Sequence, residues 1–101
     1  MEHPVKPALI VVRRVYFERF ASGAKTIEYR RHRPPFTARV FYPGRLVRIA
    51  YNYDLKRFPT LLARVIGFDV APAREHPELR EIWPGLLDGD EIALIKLAID
   101  H

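Results

Sequence analysis

A chain of 101 residues is enough polypeptide for one domain. Its 49% hydrophobic and 12% aromatic content argues against intrinsic disorder, and the absence of cysteine excludes a disulfide framework, a thiolate zinc site and an iron–sulfur cluster. Seventeen basic residues against twelve acidic ones give a net charge of +5, and the longest aliphatic run, Ala8 to Val12, is far too short to cross a membrane.

Met1-Glu2-His3-Pro4 has no basic region leading into an apolar stretch, so no secretory signal and a cytoplasmic location are expected. Ala8-Leu9-Ile10-Val11-Val12 reads as a buried strand. Residues 15–23 read as a short helix, with Tyr16 and Phe20 at helical spacing and Gly23 as its stop. Lys25 to Arg31 alternates with period two, which predicts a half-buried strand with Thr26, Glu28 and Arg30 on a charged outer face. From His32 to Gly44 the prolines 34, 35 and 43 mark a long connection, with Arg39 to Tyr42 a short strand inside it. Residues 45–53 and 60–70 read as two further strands. Pro77 to Trp83 predicts about two helical turns, with Pro77 near the first position. Gly85 to Asp90 is a turn, and residues 91–99 alternate into a last strand. The expected fold is therefore α+β and mainly β: a small, partly open barrel with two short helices around one core. No repeat or linker divides residues 1–101, which read as a single domain.

The charge is unevenly distributed. Residues 13–48 hold ten basic and two acidic side chains, a local +8, whereas the remainder, with seven basic and ten acidic, is −3. Thirteen of the seventeen basic residues are arginine, whose planar fork suits phosphates and stacks on bases. Such a field fits a polyanionic partner; a charged face kept for solubility fits it equally well.

The segment richest in chemistry is Ser22-Gly23-Ala24-Lys25-Thr26-Ile27-Glu28-Tyr29-Arg30. It places an ammonium at a helix–strand turn, then a carboxylate and a guanidinium on one strand face. The lysine suits a phosphate or a carbonyl, and the glutamate can accept from an exocyclic amine such as that of cytosine. A surface ion-pair cluster is the plainer alternative. Arg31 and Arg33 continue the basic stretch. Tyr51-Asn52-Tyr53 sets aromatic rings for stacking beside an amide for base edges; alternatively one tyrosine is core and the other covers a rim, a reading that suits Tyr53 better than Tyr51. Trp83 is either a stacking platform or a core plug. His32 and His76 lack metal-ligand spacing, and there is no HExxH motif, calcium loop, P-loop or dinucleotide fingerprint, so neither metal nor cofactor is expected.

Gly23-x-Lys25-x-x-Glu28-x-Arg30, preceded by Tyr16-Phe17 and Ser22, resembles the signature of the ASCH superfamily. Pro34-Pro35-Phe36 is similar to a variable insert of that family, and residues 45–49 and 95–99 resemble two of its barrel strands. The likeness spans residues 8 to 99, with its specific part at 15–31. It implies a PUA-like β-barrel that binds RNA or a nucleoside in a cleft beside the motif, with Lys25, Glu28 and Arg30 as the site. One branch of the superfamily deacetylates acetylated cytidine with a threonine nucleophile; Glu28 stands at that position here, and Thr26 does not replace it without a different geometry. Another family activity is RNA cleavage, for which Lys25 as cation and Glu28 as base are chemically sufficient. The expectations are thus an RNA- or nucleoside-binding module, a hydrolytic enzyme on RNA or a modified nucleoside using Lys25 and Glu28, or a protein-interaction domain with incidental charges.

Overall fold

Apolar alternation carries five segments into one sheet, and the computed structural model describes residues 6–100. The order is β1 (Ala8–Val11), α1 (Arg14–Ser22), β2 (Ile27–Arg31), β3 (Leu46–Ala50), β4 (Thr60–Pro72) and β5 (Glu91–Asp100). Two 3-10 segments, Ala73–Glu75 and Pro77–Glu81, lie between β4 and β5. The sheet runs β1-β3-β4-β5-β2 and curls into a half-barrel. β1 pairs with β3 in parallel; the other pairings are antiparallel. β1 and β2 are consequently the two edges, and the curl leaves an open seam between them. The mainly-β α+β expectation holds at this level.

α1 connects the two edges. Phe17 and Phe20, three positions apart and so on one face, are its buried residues. Phe20 has no exposed surface and joins Ile10, Val47, Ile49, Val65, Ile95 and Leu97 in the main core. Gly23 ends the helix in the left-handed region at φ 84°, where a side chain is strained, and donates its N–H to the Phe20 carbonyl.

Several expectations need correction. Instead of one core there are two clusters; the second gathers Ala73, Leu79, Leu86 and Ile92 under the 3-10 segments. β5 serves both, with Ile92 in one and Ile95 and Leu97 in the other. Within Pro77 to Trp83, only Pro77–Glu81 is helical, and it is a 3-10 segment rather than two α-helical turns. The stretch is too short to repay α-nucleation, and Pro84 disfavours helical backbone at Trp83. Arg39 to Tyr42 forms turns, not a strand; Phe41 is buried and its ring stacks on Phe36 at 5.8 Å. Residues 51–53 lie beyond β3 in a bend. β4 runs past Val70 to Pro72, with a bulge between Val65 and Gly67 that bends the strand. Among the described residues, no helix is long and apolar enough to cross a membrane.

Candidate functional site

A sheet edge exposes backbone groups with no ladder partner, and at this seam one side chain reaches across. Arg30, on β2, donates from Nη2 to the Val11 carbonyl at the end of β1, at 2.7 Å. Its Nε donates to Glu28 Oε2 at 2.9 Å, and its guanidinium lies 4.8 Å from the centre of the Phe36 ring. Arg30 therefore ties together both edges, the carboxylate and the proline-rich connection.

Glu28 corrects the expectation of a charged outer face: it is only 5% exposed. The face of β2 that carries it turns into the seam, where Arg30 and Lys25 supply the compensating charge without which a carboxylate is not buried. Lys25 Nζ lies 3.6 Å from Oε1, within ion-pair range but beyond a hydrogen bond. Among the described residues, Oε1 accepts no hydrogen bond, so one oxygen of a buried carboxylate keeps its lone pairs free.

Lys25 is set by the helix stop. Its backbone N–H donates to the Arg19 carbonyl, which fixes the turn, and its ammonium donates to the Ile27 carbonyl. The rings of Tyr16, Phe20 and Tyr29 surround that ammonium at 5.6, 5.2 and 5.2 Å from their centres. Burial lowers its pKa below the usual 10.5; Glu28 pulls it back up, while Arg19 and Arg30 push it further down. Because the folded value is the lower one, the folded chain binds fewer protons at this group than the unfolded chain does. The resulting cost is fully present below the folded pKa and disappears as the pH climbs above 10.5. Lys25→Met lacks this titration. In urea unfolding at neutral and alkaline pH, the stability difference should move in favour of the native chain as the pH rises; a pH-independent difference would show that the ammonium is not desolvated.

These groups line a cleft of about 300 Å³ together with Val11, Val12, Arg13, Leu79 and Ile82. Tyr16, Tyr29 and Trp83 provide its aromatic surface. The cleft sits where β1 ends, β2 passes and the second 3-10 segment contributes Leu79 to its wall. It presents a carboxylate acceptor, three cations and flat rings, which together can hold a planar polar ring by stacking and by a hydrogen bond to Oε1.

Lys25, Glu28 and Arg30 thus meet in one place. Arg31 and Arg33 line an adjoining recess, and Arg31 pairs with Asp90 at 3.3 Å. Tyr51 and Asn52 do not line the cleft. Tyr51 packs edge-on against Phe17 at 4.9 Å, and Asn52 accepts the Asp54 N–H in a local turn. Tyr53, for which the sequence favours the core-or-rim reading over a binding role, is 79% exposed, and it is Tyr51 that packs against the core. Trp83 packs against the second cluster, as a core plug would, and also lines the cleft. Arg13, Tyr16 and Tyr29 were not singled out as site residues. For Tyr16 the signal was its place in the motif, but helical spacing assigned it to the core. No group of three or more potential metal ligands occurs among the described residues. No protein-family model, curated protein or solved structure matches this chain.

Proposed function

We propose that this chain is an ASCH-like, PUA-like domain that binds RNA or a nucleoside in the seam cleft. The observation that carries the reading is the free acceptor Oε1 on a buried Glu28, walled by Tyr16, Tyr29 and Trp83 and flanked by Lys25 and Arg30. A carboxylate accepts from an exocyclic amine, the rings take the faces of a base, and the surrounding arginines favour the phosphates. The +8 balance of residues 13–48 supports the same polyanionic partner.

A second reading makes the site hydrolytic, with Lys25 and Glu28 as the catalytic pair. The observation favouring it is the lowered pKa of Lys25 inside a cleft, which brings an amine closer to proton exchange near neutral pH.

Fluorescence anisotropy with a labelled single-stranded RNA tests the binding reading. Affinity should fall steeply between about 50 and 200 mM salt, with a log–log slope of roughly −0.7 for each phosphate contacted. No binding, or binding indifferent to salt, would refute it. Release of a cleaved or deacylated product from RNA or an acylated nucleoside would decide for hydrolysis.

A further inference from the structure

Beside the cleft is a second recess of about 230 Å³, lined by Arg30, Arg31, Arg33, Phe36 and Trp83. It shares Arg30 and Trp83 with the cleft, so the two are contiguous. Its lining contains three guanidinium groups and no carboxylate. Their engagements differ. Arg30 is committed to Glu28 and Val11; Arg31 makes one contact with Asp90 at 3.3 Å and keeps its other donors; Arg33 is exposed and has no side-chain hydrogen bond or ion pair among the described residues. The opposite side of the cleft differs in charge: the recess there contains Glu78 and Glu81 with Arg19 and Lys25. The groove is therefore polarised, with an arginine-lined end, on whose far side Arg31 and Arg33 border Asp90 and Glu91, and a mixed end.

We infer that the recess of Arg30, Arg31 and Arg33 is a phosphate subsite, so that the cleft takes a nucleotide, with its phosphate at the arginine end, rather than a bare nucleoside. This rests on the reading of the cleft as a base site and adds an orientation and a required group to it. Arginine forks match phosphate oxygens in pairs, and Arg31 and Arg33 retain the donors for this. Trp83 borders both spaces, so one ring can stack under a base while its rim meets the sugar that leads to the phosphate. Phe36 and the Arg30 guanidinium stacked on it form a rigid floor.

Two probes separate this inference from the reading it builds on. Inorganic phosphate, titrated by NMR, should shift the side-chain Nε–H signals of Arg31 and Arg33, and Arg33→Ala should abolish most of the response. Cytidine alone should perturb the cleft and leave those arginines nearly unmoved. Cytidine monophosphate should bind about tenfold or more tighter than cytidine, as expected for charge-assisted bonds, and Arg33→Ala should remove that gain while leaving cytidine affinity unchanged. The 3′- and 5′-monophosphates and a short oligocytidylate, compared side by side, show whether a terminal or a bridging phosphate is taken. If cytidine binds and phosphate adds nothing, the subsite is wrong and the base site stands. If inorganic phosphate moves the arginines and cytidine does not bind, the subsite stands alone. If neither probe registers, both are wrong.

Discussion

Arg30→Ala should destabilise the fold by about 3 kcal/mol, the lower end of what removing one partner of a buried ion pair costs. The loss has two sources. Glu28, 5% exposed, is left with only Lys25, at 3.6 Å, as a partner. The Val11 carbonyl loses its 2.7 Å donor at a sheet edge where no strand replaces it. Lys25 is the reason to expect the lower end. Urea unfolding measures the effect. Adding Glu28→Gln in the Arg30→Ala background should recover roughly 0.5–3 kcal/mol, because it removes the stranded charge. A loss below about 1 kcal/mol would place the pair among exposed salt bridges and make the seam tie unimportant.

Glu28→Gln in the otherwise native chain should have its largest effect on recognition. If Oε1 reads a base amine, the substitution should change preference among bases by roughly 1–3 kcal/mol and leave general RNA affinity nearly intact. The amide keeps the shape but offers an oxygen acceptor and a nitrogen donor where two acceptors stood. If Glu28 is a catalytic base, turnover should disappear while binding survives. Competition between homopolymeric RNAs, run beside a turnover assay, distinguishes the two. If neither base preference nor turnover changes, Glu28 is an internal counter-ion for Arg30 and Lys25 and nothing more. Replacing Lys25 by alanine makes a useful contrast, because loss of a phosphate-facing cation weakens binding across all sequences alike.

The course of the chain was readable from local pattern. Gly23 as a helix stop, the strands at 8–12 and 91–99, the first part of the strand expected at 45–53, and the punctuation at Pro34-Pro35 all follow from propensity and period. The grouping of Lys25, Glu28 and Arg30 was legible from their spacing. Burial of Glu28 was not, because period two says which residues share a face and not what that face meets. Its surroundings come in part from β1 and the 3-10 segment, both distant in sequence, and not only from the neighbouring α1. For the same reason the sequence could not show that Trp83 both packs against the second cluster and lines the cleft, or that the Tyr51 ring lies against Phe17 and Phe58 away from it. The helix expected at residues 77–83 failed on length, a marginal quantity that the flanking prolines decide.

The pairing of β2 also bears on when the site comes into being. Glu28 and Arg30 sit on a strand whose ladder partner is β5, with Ile27 opposite Lys96 and Arg31 opposite Ile92. Emerging from a ribosome, the motif is synthesised well before the strand it must pair with. Closing so long a stretch of chain is entropically slow compared with forming α1 or the β3–β4 pair. Until β5 docks, the carboxylate and the guanidinium remain in water, and the seam that Arg30 spans does not yet exist. The seam is therefore completed only once β5 is in place.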